Sequence, residues 1–488
     1  MRKETDFIGT VEIPEEALYG IHSLRAAVNF PDSTRFHMEW YQAVCTVKRA
    51  CLMTYQKYAF AVGSKYAAHM LPQLLILEPV VDALIRSASE AESGLHFEHF
   101  IVPAIQGGAG TSINMNVNEI IANRALNLLG HKAGAYEHID PVEHANVFQS
   151  TNDVIPTSLK VVMLRLLQNH ESSVNNLRSG MEVLERKSAN DLRIAYTQMQ
   201  EAVPSSYGRL FGAYSDALSR DWWRISKCIE RIKTVNLGGS AIGTGITVPR
   251  YFIREVVQTL KQITGLPLTR AENLHDATSN LDTFVEVHAI LKAHAVNLEK
   301  ITSDLRLLAS DLVRNRELGI PKRQVGSSIM PGKVNPVIPE FVISSAHKVY
   351  SNDVLISGLC AQGCLDLNAY LPVIGHAMIE SIKLLIASDN TLLINLVKDL
   401  QLYPSISREN LLNSPAIATA LLPYIGYHKA TLLAQEMKRS SISLLEANQV
   451  LGLMNEEKIL QVIEPANLLR EGFTLHEIIG DHGEGKGT

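Results

Sequence analysis

The stretch FVEVHAILKAHAVNLEKITSDLRLLASDL, residues 284–312, decides the fold class of this chain. Its apolar residues recur at alternating steps of three and four, and His294 fills the one place without an apolar side chain. This spacing predicts a helix of about eight turns, roughly 45 Å long at about 1.5 Å per residue. The stripe consists of Phe284, Val287, Leu291, Leu298, Ile301, Leu305, Leu308 and Leu312.

Further apolar stretches of similar length flank this helix. The downstream stretch, from about Pro339 to Leu400, is interrupted at Pro372, where we expect the helix to kink or break. Helices this long cannot bury their apolar faces in a small monomer, so a bundle shared between subunits is predicted. We interpret His170 and His294 as packed or hydrogen-bonded core residues. The upstream stripe consists of Met163, Leu166, His170, Val174, Leu177, Met181 and Leu184.

Size and composition limit the classes of protein to which this chain can belong. The chain has 488 residues, of which 46% are hydrophobic, and this is enough for a large core and several domains. A net charge of −5 argues against a nucleic-acid-binding surface. The five cysteines are few and scattered, as in a reducing, cytoplasmic compartment. We find neither a signal peptide nor an uncharged apolar run long enough for a transmembrane helix, so no membrane partner is expected.

The long stripes suggest a coarse division of the chain. We predict a mostly helical N-terminal domain over residues 1–148, a central long-helix domain over 149–404 and a small helical C-terminal domain over 405–488. The Gly-rich end, residues 481–488, is expected to be disordered.

The loop sequence GSSIMPGKVNP, residues 326–336, carries the strongest functional signal. Glycine and proline keep it out of regular structure, so it could fold over a ligand and withdraw. It combines a proton acceptor, Ser327 or Ser328, with the cation of Lys333 and the amide of Asn335. These groups suit a small anionic substrate that loses a proton. From the residues alone, the serines could equally cap the following helix.

Three other segments concentrate hydroxyl and amide side chains. They are GGAGTSINMNVNE at residues 107–119, QSTND at 149–153 and YTQMQEAVP at 196–204. The first lacks the lysine of a phosphate-binding loop, and the second could simply start a helix. The third separates two helical runs, and we find no clear series of β-hairpins.

These four segments resemble, in the same order, segments of the aspartase/fumarase superfamily. The resemblance also covers residues 19–26 and 237–245 and extends through most of the chain to about residue 380. Residues 110–112 and 149–153 and the pair Thr197-Gln198 are most similar to the aspartate ammonia-lyases. Fumarases usually have His at the position of Gln198 and Ser-Ser-Asn at positions 150–152.

The resemblance implies an all-α, three-domain fold whose central long-helix bundle is shared in a homotetramer. Each active site would combine segments of three subunits. The implied reaction is the reversible anti elimination of ammonia from L-aspartate, without a redox, metal or organic cofactor. The implied partners are therefore a small amino acid or dicarboxylate substrate and further copies of this chain.

The resemblance also implies a role for each polar segment. Ser327 matches the general base, and Glu340 matches a glutamate that usually pairs with the histidine replaced here by Gln198. Lys333 and Asn335 match residues that bind the second carboxylate. Hydroxyl donors to the enediolate intermediate would be Thr111, Ser150, Thr151 and Ser328. Residues around the amino group would be Asn152, Thr197 and Gln198.

The sequence departs from the family pattern at several places. The segment before the loop, residues 309–324, is short and lacks a Ser-Gly-Pro-Arg turn. Tyr196 stands where arginine is common, and Leu371 occupies a position that is often acidic. A related substrate therefore stays open, such as fumarate for hydration or a bulkier amine such as a trimethylamine compound. A non-catalytic scaffold protein is the remaining alternative.

Overall fold

The computed structural model describes residues 1–67, 70, 75–313 and 316–479 of the chain. The end predicted to be disordered, residues 481–488, lies outside these ranges. Helix makes up 62% of the structure, and each sheet within the described ranges has two short strands. The all-α prediction is therefore confirmed.

The helices differ widely in length, and those of the central part are the longest. Their bounds are α1 (Ile21–Asn29), α2 (Met38–Lys65), α3 (Glu78–Glu92), α4 (Thr111–Leu128), α5 (Thr151–Lys187), α6 (Tyr207–Ile232), α7 (Arg250–Thr264), α8 (Asp276–Ser279), α9 (Asp282–Leu308), α10 (Val337–Cys360), α11 (Leu371–Asn395), α12 (Pro404–Asn413), α13 (Leu422–Ile425), α14 (Tyr427–Ser440), α15 (Leu444–Leu451), α16 (Glu456–Val462), α17 (Pro465–Leu468) and α18 (Leu475–Ile479). Short 3-10 helices span Phe97–His99, Val397–Asp399 and Pro415–Leu421.

The strands form small separate pairs. Antiparallel pairs join β1 (Arg2–Asp6) with β2 (Gly9–Ile13), β3 (Leu192–Thr197) with β4 (Gln200–Ser206), and β7 (Leu318–Gly319) with β8 (Gln401–Leu402). The pair of β5 (Thr234–Val235) and β6 (Thr269–Arg270) is parallel.

The chain forms two compact units that alternate along the sequence. Unit 1 consists of Met1–Glu171, Trp223–Ala295 and His347–Ile386, and unit 2 of Ser172–Trp222, Val296–Ala346 and the chain from Ala387 onward. Each boundary between these segments falls inside a long helix, namely α5, α6, α9, α10 or α11. The predicted division at residues 148 and 404 stays a prediction.

Helix α9 follows the predicted apolar stripe over most of its length. The stripe residues from Phe284 to Leu305 are buried, and His294 is buried with them. The prediction is wrong for Leu312, which is 88% exposed because the helix ends at Leu308. There the N–H of Ser310 bonds the carbonyl of Leu307, the tighter pattern with which helices often end.

Helix α5 buries the second stripe except for Leu184, which is partly exposed. The rings of its His170 and of His294 on α9 are both in the core of unit 1, with centroids 5.1 Å apart at 63°. This packing agrees with their interpretation as core residues.

The predicted interruption at Pro372 is confirmed. Helix α10 ends at Cys360, and Pro372 is the second residue of α11. In the first helical turn the missing N–H of proline has no intrahelical partner to lose, so proline is tolerated there. The break therefore precedes the proline and separates two helices.

Residues 371–399 are apolar and long enough to cross a membrane by length and composition alone, with a mean hydropathy of 1.4 in the most apolar window. However, 61% of that window is buried within the protein. Its buried polar residues include Ser381 and Ser388. These features are typical of an interior helix of a large helical core.

Candidate active site

Helix α5 begins with a reciprocal cap built from the QSTND segment. The Ser150 hydroxyl accepts the Asn152 N–H at 3.3 Å, and the Asp153 carboxylate accepts the Ser150 N–H at 3.0 Å. This arrangement satisfies backbone donors that have no partner inside the helix. Serine is thus a capping residue, as the sequence allowed, and its hydroxyl hydrogen remains available for a ligand.

A proline in the second turn of α5 leaves one backbone carbonyl of this helix start without its helical donor, and a distant segment supplies the donor instead. Pro156 has no N–H, so it cannot bond the carbonyl of Asn152 four residues earlier. The side chain of Asn236 donates to that carbonyl instead, at 2.9 Å. The Asn152 side chain in turn donates to the carbonyl of Ala241 at 2.7 Å. The Asn152 amide oxygen accepts no hydrogen bond from a described residue and is free to accept one from a ligand.

Asp153 accepts further hydrogen bonds from the segment that precedes Ala241. Its buried carboxylate also accepts the N–H groups of Gly238 and Ser240, each at 3.1 Å. Burial raises the pKa of Asp153 to about 6, although these hydrogen bonds and that from Ser150 act to lower it. Asp153 was part of the quoted motif, but the sequence did not distinguish its structural role from that of its neighbours.

The glycine-rich loop lies against the start of α5. Gly110 has a φ of 95°, and a Cβ there would lie 2.9 Å from a methyl group of Ile155. Both features require glycine at this position. Thr111 follows as the first residue of α4, and its exposed hydroxyl has no partner among the described residues. The loop therefore brings Thr111 to the same part of unit 1 as the QSTND turn.

A buried lysine supports this region, and sequence reasoning missed it. Lys48 of α2 is fully buried and donates to the side chains of Asn146 at 3.2 Å and Gln149 at 3.0 Å. Burial lowers its pKa to about 8. Asn146 also accepts a hydrogen bond from Asn114 on α4, at 3.1 Å. No local pattern around Lys48 distinguishes it from a surface lysine, because its partners lie about a hundred residues away along the chain.

The loop GSSIMPGKVNP, residues 326–336, lies in unit 2 and closes on itself. The Gly326 N–H bonds the carbonyl of Lys333 at 2.8 Å, and the Asn335 side chain donates to the Gly326 carbonyl at 2.8 Å. A Cβ on Gly326 would lie 2.7 Å from the Asn335 nitrogen. Glycine is therefore needed for the neck of the loop to close. Ser328 and Lys333 are exposed on it, and Ser327 is half-buried.

The Ser327 hydroxyl accepts two backbone hydrogen bonds. They come from the N–H groups of Ile329 at 3.1 Å and Met330 at 2.9 Å. Donors directed at an oxygen favour its negatively charged form. The two N–H groups would thus help to stabilise an alkoxide on Ser327.

Thr197 and Gln198 lie at the tip of a β-hairpin, where the sequence predicted only a connection between helical runs. Strands β3 and β4 are joined by the two-residue loop Gln198-Met199, with φ of 52° and 62°. Such loops usually contain Asn or Gly, which adopt this conformation readily, so the sequence lacked the usual hairpin signal. Both site residues are exposed at the tip.

The base of this hairpin is fixed by the C-terminal helices. Leu192 and Ile194 of β3 are buried in an apolar cluster formed with helices α12 to α16. Its other buried members are Leu411, Ile417, Ala418, Leu421, Leu433, Met437, Leu444, Ala447, Ile459, Val462 and Ile463. The tip thus projects from a packed base.

Glu340 lies in the first turn of α10, just after the loop. Its carboxylate is 3.7 Å from the guanidinium of Arg306 at the end of α9. Gln198 cannot form the carboxylate–histidine pair that the family resemblance associates with this glutamate. Arg306 supplies a charged partner instead.

The candidate residues thus form three groups. Unit 1 brings Thr111 to the same region as Ser150, Thr151 and Asn152. Unit 2 holds Ser327, Ser328, Lys333 and Asn335 in one closed loop, with Glu340 after it, and carries Thr197 and Gln198 on the hairpin. The first group offers neutral donors, the loop offers hydroxyl groups and a cation, and the hairpin offers an amide and a hydroxyl.

Family models match most of the chain. The model described as Lyase matches residues 9–351, and the model described as Fumarase C C-terminus matches residues 417–470. Among similar proteins, the aspartate ammonia-lyase of Bacillus subtilis (strain 168) is 35% identical over 480 residues, 98% of each chain. That of Escherichia coli (strain K12) is 35% identical over 478 residues, 97% of each chain.

Solved structures show the same similarity in three dimensions. The fumarate lyase:delta crystallin from Brucella melitensis bound to cobalt has a TM-score of 0.86 and 35% identity, covering 96% of this chain and 98% of that one. A recombinant class II fumarase from Schistosoma mansoni has a TM-score of 0.84 and 27% identity, covering 95% and 98%. The similarity extends over nearly the full length in both sequence and fold.

Proposed function

Since this chain belongs to the lyase family that includes aspartate ammonia-lyases and class II fumarases, we propose that it interconverts L-aspartate with fumarate and ammonia. The observation that carries this choice of substrate is the side-chain amide of Gln198, which is exposed at the hairpin tip, and Asn152 supplies a second acceptor. The free oxygen of Asn152 and the exposed amide of Gln198 can accept hydrogen bonds from an ammonium group. Fumarases usually have histidine in place of Gln198.

Proton abstraction is assigned to Ser327. The serine alkoxide removes a proton from the carbon next to one carboxylate of L-aspartate, and the C–H electron pair moves into that carboxylate as an enediolate. The two N–H groups on Ser327 and the cation of Lys333 on the same loop lower the free energy of the alkoxide. Collapse of the enediolate then forms the carbon–carbon double bond and breaks the bond to nitrogen.

Stabilisation of the enediolate is assigned to hydroxyl groups. Its extra negative charge lies on the carboxylate oxygens, where preorganised neutral donors act most strongly. Loss of one such donor typically costs about 3 kcal/mol of transition-state stabilisation. The hydroxyls of Thr111, Ser150 and Thr151 at the starts of α4 and α5, and that of Ser328 on the loop, are the proposed donors.

The remaining residues are assigned to the second carboxylate of the substrate and to its leaving group. Lys333 supplies the charge-assisted contact to the second carboxylate, together with the second amide hydrogen of Asn335. Asn152, Thr197 and Gln198 hold the amino group until it leaves as ammonia.

We further propose that the active enzyme is a homotetramer in which each site combines segments of three subunits. The support is the family resemblance together with the long apolar helices. The proposed location is cytoplasmic, since the five cysteines of the chain are few and scattered.

A second candidate is a lyase of the same fold that acts on another substrate. It is favoured by Tyr196, which is 41% exposed beside Thr197 at a position where the family commonly has arginine. It is also favoured by Leu371, which is buried where an acidic residue is common. Either change could reshape the pocket for a larger amine or for the water of fumarate hydration.

Ultraviolet absorbance during incubation with L-aspartate tests the proposal, with L-malate in parallel. Formation of fumarate raises the absorbance in either reaction. A rise with L-aspartate alone supports the ammonia-lyase. A rise with L-malate alone would make the protein a fumarase, and no rise with either would favour a different amine as the leaving group.

A further inference from the structure

Unit 2 contains a cavity whose lining includes none of the residues assigned to the proposed ammonia-lyase reaction. It has a volume of about 800 Å³ and lies between the β3–β4 hairpin, the last turns of α9 and the end of α12. Its apolar wall includes Ile194, Met199, Leu210, Leu307, Leu308 and Pro415. This volume is within the range of pockets that hold small organic ligands.

One side chain of the lining is unusual, because it is a buried cation without an anionic partner. Arg193 on β3 is only 7% exposed, and its Nε has no hydrogen-bond partner. Its guanidinium lies over the ring of Tyr207, 5.4 Å from the ring centroid, and forms no ion pair with a described residue. A buried charge that lacks both a counter-ion and hydrogen bonds is costly, so such a group requires an explanation.

Two acidic residues also line the cavity, and each accepts a hydrogen bond from a neighbouring hydroxyl. Glu201 accepts the Ser414 hydroxyl at 2.6 Å. Asp304 accepts the hydroxyl of Tyr214 at 2.7 Å and pairs with Lys300. Lys300 is therefore a cation of the lining that has its own counter-ion, whereas Arg193 has none among the described residues.

Glu317 accepts a hydrogen bond from Tyr207 and is engaged by two further donors. Its carboxylate accepts hydrogen bonds from Tyr207 at 2.9 Å, Ser407 at 2.9 Å and Asn410 at 2.8 Å. It can balance part of the charge of Arg193 at a distance, but it takes none of the guanidinium hydrogen bonds. Those donors remain for an occupant of the cavity.

We propose that this cavity binds a small aliphatic monocarboxylate, with its carboxylate on Arg193 and its chain along the apolar wall. One unpaired guanidinium matches one carboxylate, because both are planar and can form two parallel hydrogen bonds. The leucine, isoleucine and methionine side chains of the wall favour a hydrocarbon body over a second polar group.

Such a ligand would also contact the element that carries Gln198. Met199, the other residue of the hairpin loop, lines the cavity. Occupancy would therefore restrict the hairpin next to the proposed ammonia site. The binding site itself does not depend on which substrate the enzyme uses, so failure of the aspartate assay would leave this proposal standing.

Isothermal titration calorimetry of the full-length protein with octanoate tests the proposal, with octanol as the uncharged probe of the same chain length. We expect octanoate to bind at least tenfold more tightly than octanol. Arg193→Gln should weaken octanoate binding at least tenfold, whereas Lys300→Ala should leave it within about twofold. Circular dichroism and thermal melting establish that each variant is folded.

Two further variants keep the test decisive. Leu307→Trp places a large ring at a partly exposed position of the wall and should block octanoate even if Arg193→Gln does not fold. Ser327→Ala should bind octanoate as the wild type does, because the proposed base lies outside the cavity. Absence of binding, equal affinity for octanol, unchanged binding by Arg193→Gln or by Leu307→Trp, or loss of binding by Ser327→Ala would each overturn the proposal.

Discussion

At the residue scale, two backbone donors distinguish Ser327 from an ordinary surface serine. Its oxygen accepts the N–H groups of Ile329 and Met330 and shares its loop with Lys333. An isolated serine hydroxyl is a poor base near neutral pH, so these contacts are the features that could change its behaviour.

Ser327→Ala should lower kcat by about 10² to 10⁴, because it removes the proton acceptor while leaving the hydrogen bonds of Gly326 with Lys333 and Asn335 in place. Affinity for succinate, which lacks the amino group, should change by less than about twofold. Steady-state kinetics and calorimetry measure the two quantities. Ser344→Ala, which removes an exposed hydroxyl bonded to the Glu340 carbonyl, is the matched control. Near-normal turnover of Ser327→Ala would remove this residue as the base.

Lys333→Ala should act mainly on substrate affinity. Loss of a charge-assisted hydrogen bond to a carboxylate should raise KM by about 10- to 100-fold. The exposed Lys322 provides the control, since Lys322→Ala removes the same charge from the segment before the loop. If KM were equal in both variants and the wild type, Lys333 would not be the residue that binds the carboxylate.

At the scale of elements, the start of α5 depends on a side chain from a segment about eighty residues away. Asn236 satisfies the carbonyl that Pro156 leaves without a partner and also donates to Thr278 at 2.8 Å. The proline and the asparagine therefore act together in placing Asn152. A kink or loss of order at this helix end would displace the proposed ammonia site.

Asn236→Ala should lower the free energy of unfolding by about 1–3 kcal/mol, because it leaves the partly buried carbonyl of Asn152 without its donor. Urea unfolding followed by circular dichroism measures this change, with the exposed Asn280→Ala as the control. The same variant should lose activity through a displaced Asn152. Equal stability of Asn236→Ala and the control would show that water or another group replaces the amide.

The start of α1 should give the protein a measurable pH dependence. Glu119 is buried and accepts the N–H groups of Gly20, His22 and Ser23, at 2.7, 2.9 and 3.2 Å. Burial nevertheless raises its pKa from the usual 4.5 to about 7. Because the folded state then holds the proton more tightly than the unfolded state, the free energy of unfolding falls as the pH rises between these values.

Glu119→Gln should remove this dependence. At about 1.4 kcal/mol per pKa unit, the carboxyl accounts for a loss of about 3 kcal/mol between pH 4.5 and pH 7. The amide cannot accept every one of these hydrogen bonds, so the variant should be less stable by an offset that does not vary with pH. Urea unfolding across this pH range measures the free energy of unfolding of the wild type and of the variant, and the slope of their difference against pH is the quantity to test. A difference of the opposite slope would mean that the hydrogen bonds outweigh burial.

At the scale of the whole molecule, the long helices expose apolar side chains that a free monomer would leave in water. Val354 on α10 is 75% exposed, and Phe341 and Leu355 of the same helix are each 40% exposed. We expect this surface to be covered in the proposed tetramer. The candidate residues of one chain would then be completed by those of its neighbours.

Val354→Arg should therefore dissociate the assembly and abolish activity, because a charge would be placed at a covered apolar position. Analytical ultracentrifugation measures the oligomeric state alongside turnover. The control is Val450→Arg on α15, which changes a valine of similar exposure, 66%, in the C-terminal region. A Val354→Arg monomer with full turnover would contradict the proposed shared site.

The sequence by itself determined the helices and most of the candidate residues. The 3.6-residue period determined α5 and α9, and Pro372 marked the break before α11, because these features depend on the spacing of neighbouring residues along the chain. The motif around Ser327 and the QSTND turn could be found for the same reason. The β3–β4 hairpin could not, because Gln198-Met199 lacks the usual turn residues and its register follows from the packing of Leu192 and Ile194 on the C-terminal helices.

Only the tertiary structure decided which partner each buried polar group has. The amide of Asn236 bonds the carbonyl of Asn152, and the amides of Asn146 and Gln149 bond Lys48. Arg193 has no anionic partner among the described residues. Each of these outcomes depends on segments that are far apart in the chain. Local sequence specifies which conformations are favourable, but burial and pairing arise only when distant segments pack together. Those contacts leave the side-chain oxygen of Asn152 available to a ligand. They also set the free-energy cost of burying the charge of Arg193, which a bound ligand would relieve.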